Sequence, residues 1–506
     1  MKPFFSIMVF RERLWMWKIT LALMLLAGFA IRMVDLTDLP LDFAPTRQLF
    51  SALKARGMFY QYVTDAPAWQ REAAIRLGGT GTIEPAVLET IVSQTYRLTG
   101  EHLWIARIYS SLFWVLGGLA LFLLIRELAS NPAAIIGTLV YLFVPYGVLA
   151  SRVFMPDPLM VALVIFSTWA LFRWQNTSQW KWAIWAGILA GLAIYVKNVA
   201  AFMVVGAFAG VLIGGHGLKR SLRDPQAWVM AVLLILPTAI YTLNGFISGS
   251  LEGQLSLRFF PQMWLDPAFY FSWQSLMSLA TGFGVWVAGI AGVFLADSQR
   301  ERPLLLGLWI GYLAFGFTFP YHFTTHDYYH LTLIPIAALS MAPLVKAVFE
   351  RFAERSPGYF PRLVLAALVL FALAVQLWIA RTRLVATEYR NEAPFWAEIG
   401  DKLGHQASVI GLTQDYGYRL AYWGWQGSSA WFTSGDIAVR YMAGQNFDPA
   451  QKFAEDIAGK QYFLVTMFGE FNNQPVIRDL LYSHYPIFAQ TDEYVIFDLQ
   501  HALDQP

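Results

Sequence analysis

Long apolar runs separated by short polar breaks fill the first three quarters of the chain. Such runs occur at 19–31 and then at roughly 102–125, 132–150, 158–175, 180–196, 199–215, 226–246, 271–296, 303–320, 328–345 and 360–380. A helix needs about 20 apolar residues to cross a bilayer, so the pattern predicts about eleven transmembrane helices. The two runs around Lys197 are short and nearly continuous. From about Leu384 the long runs stop. APFWAEIGDKLG reads as a helix and ASVIGL as a strand. QYFLVTM follows as a strand, PVIRDLLYSHY as a helix and YVIFDL as a final strand. The pattern therefore predicts an α-helical polytopic membrane protein over residues 1–383, with a small α/β domain over 384–506.

The loop after the first run departs from the scheme. LPLDFAPTRQLFSALKARGMFY (39–60) supplies an acid, Asp42, then a proline that suits the first helical position, Pro45. Ala44 is then the cap, and Asp42 stands two residues outside. Leu49, Leu53, Arg56 and Tyr60 share one face of the predicted helix, with Arg47 and Lys54 roughly opposite. An arginine in an apolar stripe beside a membrane wants an anion. Residues 65–82 read as a polar loop, and EPAVLETIVSQTYRL (84–98) as a second juxtamembrane helix.

Composition sharpens this picture. Hydrophobic residues make up 57% of the chain and charged ones 14%, against about a quarter charged in soluble domains. A net charge of +2 points to no nucleic-acid partner. With no cysteine, disulfides and thiolate metal sites are excluded. Arg11, Arg13, Lys18, Arg126, Arg173, Lys181, Lys219, Arg220, Arg223, Arg300, Arg302, Lys346, Arg351, Arg355 and Arg362 fall on the side shared with the N-terminus. Short loops on the other side hold only Arg152, Lys197 and Arg258. Positive-inside bias makes the first side cytoplasmic. The N-terminus is then an uncleaved signal anchor in the plasma membrane. The loop 35–101, the loop 247–270 and the C-terminal domain lie outside the cytoplasm.

Ionisable residues at the outer helix ends are the candidates for chemistry. Arg152 and Asp157, in SRVFMPDPLM, read first as a pair holding two helix ends. Glu84 before Pro85 reads either as an ordinary helix opening or as a further acid. Lys197 either snorkels to the interface or meets a lipid phosphate. In YHFTTHDYYHL, His322, His326, Asp327 and His330 match no tight metal spacing, and Tyr328 and Tyr329 read as interfacial aromatics.

Taken in order, these segments resemble the GT-C glycosyltransferases of the protein-mannosyltransferase and aminoarabinose-transferase-like group (glycosyltransferase family 39-like). LDFAPTRQLFSALKAR is similar to that group's acidic first outer loop, IEPAVLETI to its second juxtamembrane helix, and GEHLWIARIYSSL to the start of its next span. SRVFMPDPLM is similar to the second acidic loop, YVKN to a lysine segment and HDYYHLTLIPIAAL to a His-Asp-Tyr-Tyr segment. The resemblance implies a GT-C fold and an inverting transfer of a hexose or pentose. The donor would be a polyprenyl-phosphate-linked sugar, and the acceptor an extracytoplasmic protein, lipid or glycan. It implies Asp42 as the catalytic acid, with Asp157 in support. Arg47, Arg56 and Lys197 would bind the lipid phosphate, with Gln48, Glu84, Arg152, His326, Asp327 and Tyr328 as further donor-site residues. Many relatives carry paired acids in the first loop, whereas Phe43 follows Asp42 here. No metal site is assigned, and a divalent metal stays open. The rival class is a lipid transporter or flippase, which tends to show inverted repeats and mid-membrane polar breaks; neither is evident here.

Overall fold

The computed structural model describes residues 2–79, 84–247, 259–296, 299–355 and 358–503, the side chains of 2–15 aside. Arg11, Arg13 and Arg258 of the charge-bias argument fall outside the described side chains. Every predicted apolar run falls on helix: Lys2–Arg32, Trp104–Leu128, Asn131–Phe143 with Pro145–Ala150, Asp157–Thr177, Trp180–Val196, Ala200–Ala209, Pro225–Ile247, Pro267–Thr281 with Phe283–Leu295, Glu301–Thr318, Leu333–Ser340 with Ala342–Arg355, and Tyr359–Leu384. Among the described residues, five helices are long and apolar enough to cross a membrane, or six if the bent pair at 267–295 is one span. Asn131–Phe143, Trp180–Val196 and Ala200–Gly215 are apolar but shorter. The chain is thus a membrane protein with several apolar helices, and length and composition support fewer full spans than eleven.

Two predicted runs are not single rods. The run over 271–296 bends by 96° at Gly282, whose φ of 85° is open to glycine and strained for other residues. The run over 132–150 breaks at Pro145, which has no N–H for the helical ladder. Elsewhere small residues let backbones touch. Gly206 and Gly210 press against Gly307, Gly311 and the Pro303 carbonyl, the small-xxx-small contact that packs helices in lipid.

The long first loop is largely helical. Pro45–Tyr60 begins where predicted, with Ala44 as a left-handed cap (φ 43°, ψ 54°). Residues 68–78, expected as polar loop, form the helix Ala68–Gly78. It buries Ala73, Ala74 and Leu77 and brings Gly78 onto Gly57 of the preceding helix. The expected division of Pro45–Tyr60 into an apolar and a basic face is also corrected. All residues from Gln48 to Gly57 are buried, because Ala68–Gly78, Val87–Thr99 and a C-terminal segment at Ala421 and Tyr422 wrap the helix in one core.

The C-terminal part contains a five-stranded sheet in the order β2-β1-β3-β5-β4, formed by β1 (Val409–Leu412), β2 (Ser428–Ala430), β3 (Tyr462–Val465), β4 (Ile487–Gln490) and β5 (Val495–Asp498). β1 runs parallel to β2 and β3, while β5 is antiparallel to β3 and β4. Side chains alternate across the sheet as strand geometry requires. Val409, Leu464 and Ile496 meet Trp396 and Ile399 of Glu392–Leu403. Ile410, Phe463, Val465, Val495 and Phe497 meet Phe453, Ile477 and Leu481 on the other face.

Candidate active site

Most of the charged residues named from sequence gather in two groups at one end of the helical body. The first is centred on Asp42. Its carboxylate accepts from Arg152 Nη2 at 2.8 Å and from Arg107 Nη2 at 3.2 Å. Arg107 also donates to the carbonyls of Asp35, Leu36, Asp38 and Leu39, so one guanidinium shapes the whole turn that presents Asp42. Gln48 ties this turn to its neighbour: its amide donates to Pro40 O and Phe43 O and accepts from the Phe154 N–H. Both arginines are buried, whereas the Asp42 side chain keeps 14% exposure.

The second group joins Asp157, Lys197, Arg47 and Glu84. At the end of Trp180–Val196 the backbone turns extended at Lys197 (φ −155°, ψ 118°). Lys197 Nζ then donates to both oxygens of Asp157 at 2.9 and 2.8 Å. Asp157 opens the next helix in the cluster, Asp157–Thr177. The Tyr328 ring lies 5.1 Å from the ammonium. Arg47 Nη2 donates to Glu84 Oε2 at 2.8 Å. Burial alone would lower the Arg47 pKa, but Glu84, with Tyr328 and Asp157 adding to it, outweighs burial and the value is raised. Burial likewise pushes Glu84 up, and Arg47 followed by Lys197 brings it below its ordinary range. His326 is held down to about 4, first by burial and then by the charges of Lys197 and Arg47. Phe43, next to Asp42, packs edge-on against Tyr146 at 5.6 Å. The buried Tyr146 hydroxyl has no hydrogen-bond partner among the described residues.

Several expectations change here. Arg152 pairs with Asp42, not with Asp157, and Asp157 pairs with Lys197. Lys197 is 4% exposed, which excludes snorkelling. Arg56 is not brought to either group. It is sealed against the C-terminal part by Glu101 at 2.8 Å, by the Tyr422 carbonyl, and by the Tyr422 and Trp425 rings at 3.6 and 4.2 Å. His330 is engaged with the Tyr312 hydroxyl and the Phe323 carbonyl. Among the described residues no three His, Asp or Glu side chains converge as a metal site. Asp327 opens the turn Asp327–Thr332 that carries Tyr328. Arg107 went unnoticed in sequence, although an arginine in the first turn of an apolar run was a usable signal.

The site end thus combines a partly exposed carboxylate clamped by two arginines with two cations, Arg47 and Lys197, each held by an acid. Comparison with known proteins agrees on the architecture. ArnT from Cupriavidus metallidurans bound to undecaprenyl phosphate superimposes with a TM-score of 0.58 at 16% identity, covering 95% of this chain and 97% of that one. The fold is that of the GT-C glycosyltransferases. The apo form of the same protein gives 0.57 at 14% identity. AglB from Archaeoglobus fulgidus, an oligosaccharyltransferase in complex with an inhibitory peptide and a dolichol-phosphate, gives 0.55 at 13% identity over 95% of this chain and 74% of that one. Residues 84–242 match the family described as dolichyl-phosphate-mannose-protein mannosyltransferase. A stretch of 125 residues is 27% identical to the putative mannosyltransferase YkcB of Bacillus subtilis, spanning 25% of this chain but only 18% of that relative. The resemblance read from the GT-C motifs therefore holds.

Proposed function

We propose that this protein is an integral membrane glycosyltransferase that moves a sugar from a polyprenyl-phosphate donor to an acceptor outside the cytoplasm, with inversion. The observation that carries the reading is Asp42, clamped by Arg107 and Arg152 yet still partly exposed. Asp42 takes the proton of an acceptor hydroxyl as its oxygen bonds to the anomeric carbon, and the bond from that carbon to the phosphate oxygen breaks. The polyprenyl phosphate leaves as an anion. Arg47, more open than Lys197, swings from Glu84 to meet it, while Lys197 and Tyr328 line the same side. Asp157 holds Lys197 in place, and Glu84 becomes the second free acid, in place of one beside Asp42, where Phe43 stands. Stabilising this developing charge and positioning the acceptor supply most of the rate. ArnT bound to undecaprenyl phosphate supports the donor class.

The test is transfer of labelled sugar from polyprenyl-phosphate hexoses and pentoses to an envelope fraction, by purified protein in bilayers. Asp42→Asn is expected to fall by about 100-fold or more, the range of a lost general base. Undiminished transfer by that variant would remove Asp42 from the mechanism.

A further inference from the structure

A separate cleft of about 420 Å³ opens between the helical body and the C-terminal sheet. One wall is Tyr321 and His326; the other is Tyr416, Phe432, Asp436 and Arg440. His326 joins the cleft to the cation group: its ring packs edge-on against Tyr328 at 5.5 Å, and Tyr328 lies 5.1 Å from Lys197 Nζ. The cleft thus ends where the proposed transfer takes place. It has the size of a small-ligand site.

The opposite wall is held under strain. Asp415 (φ 53°, ψ 37°) and Tyr416 (φ 55°, ψ 32°) are consecutive left-handed residues ahead of Gly417 (φ 83°). A bulky side chain adopts that conformation only when its surroundings impose it, and such residues cluster at ligand sites. Here the surroundings are visible. Asp415 accepts from Thr46 Oγ1 at 2.9 Å, on the helix that also carries Arg47, and from Arg419 Nε. Tyr416 donates to Asp436 Oδ1 at 3.2 Å. The strain sets Tyr416 and Asp436 at the cleft.

The chemistry of the lining selects among ligands. Asp436, which accepts from Thr433 and Tyr416, can only accept further hydrogen bonds, and Arg440, which donates to Gln445, can only donate them; Arg440 lies 4.4 Å over Phe432. A neutral ligand bearing many hydroxyls, each both donor and acceptor, satisfies both groups while its ring faces an aromatic. Recognition of a polypeptide by strand addition needs a long free strand edge, and the edge strand here, β2, has three residues. We propose that the cleft binds a sugar ring of the acceptor, so that the acceptor is a carbohydrate; this rests on the glycosyl-transfer reading above.

The test is saturation-transfer NMR on the full-length protein in micelles. The probes are methyl α-D-mannopyranoside, methyl β-D-glucopyranoside, N-acetylglucosamine and a Ser/Thr hexapeptide, with undecaprenyl phosphate binding measured in parallel. Wild type is expected to saturate the ring protons of at least one sugar. Arg440→Ala should weaken that signal about tenfold, the loss of one hydrogen bond to a charged group. Tyr416→Gly relieves the strain, so it should melt no lower than wild type and still lose sugar binding. Both should keep wild-type affinity for undecaprenyl phosphate. Sugar signals equal in all three proteins, no sugar signal from a wild type that binds the lipid, or saturation of the peptide alone would each overturn the inference. Failure of wild type to bind undecaprenyl phosphate would instead overturn the transferase reading on which it rests.

Discussion

Asp157 and Lys197 form an ion pair with both side chains buried, 3% and 5% exposed, whereas Asp42 keeps 14% beside its arginines. Taking away one partner strands the other in a low-dielectric site, at a cost of about 3–5 kcal/mol. Lys197→Met should therefore lower the melting temperature in detergent steeply, and Lys197→Met with Asp157→Leu should recover much of it. Neither variant should retain donor binding, and a double variant that binds undecaprenyl phosphate normally would remove Lys197 from the phosphate site. His326 makes a prediction in pH. Its folded value of about 4 lies below the ordinary 6.5, so the unfolded chain binds the extra proton first. Stability is then complete above pH 6.5 and falls as pH drops towards 4, by at most about 1.4 kcal/mol per pH unit. Thermal melts of wild type should show that slope more strongly than melts of His326→Gln; parallel curves would show that His326 is not the group responsible.

At the scale of elements, the helix Pro45–Tyr60 shows both what was legible and what was not. Its start was legible because proline geometry is local: Pro45 opens the helix and Ala44 caps it, although Ala44 is left-handed where proline favours extended backbone before it. The role of Arg56 was not, because a stripe of residues says which face is apolar but not what will cover it. The cover comes from Glu101, 45 residues on, and Tyr422, 366 residues on. The same long-range packing made a helix of Ala68–Gly78 where the local pattern read polar loop. The short edge strands β2 and β4 escaped notice because they are mostly exposed, so burial imposes no alternation on them. The two arginines of Pro45–Tyr60 should now separate by experiment. Arg47→Ala should weaken undecaprenyl phosphate binding about tenfold or more, as expected for a lost charge-assisted contact. Arg56→Gln should leave that affinity within about twofold while lowering stability by about 3–5 kcal/mol, through the stranded Glu101. Arg56→Lys should recover only part of this, since an ammonium does not stack on Tyr422 and Trp425 as a guanidinium does. Equal loss of lipid affinity in Arg47→Ala and Arg56→Gln would restore Arg56 to the phosphate site.

For the molecule as a whole, the direction of the helices relates charge to side. Trp180–Val196 ends at Lys197, and Asp157–Thr177 starts at Asp157. Their other ends, with Arg173 and Lys181, therefore lie at the far end of the body. Arg173 meets Glu127 there, and Arg300 meets Asn176. Ala200–Ala209 leaves the Lys197 turn and leads through Gly210–Gly215 to Lys219, Arg220 and Arg223. At the site end, by contrast, Arg47, Arg56, Arg107, Arg152 and Lys197 are each paired with a carboxylate. Orientation in membranes follows the Lys and Arg count of short loops, and on that ground we propose that the 219–223 turn is cytoplasmic and the sheet opposite. The chain carries no cysteine, so a single introduced thiol reports its side without background. Arg223→Cys and Glu455→Cys, at exposed positions of the turn and of the sheet unit, should behave oppositely towards a membrane-impermeant maleimide. Glu455→Cys should label in cells whose plasma membrane is intact and exposed to reagent, and Arg223→Cys only after the membrane is opened. The reverse pattern would put the Asp42 site on the cytoplasmic face, and a lipid-linked donor in the outer leaflet could not then reach it.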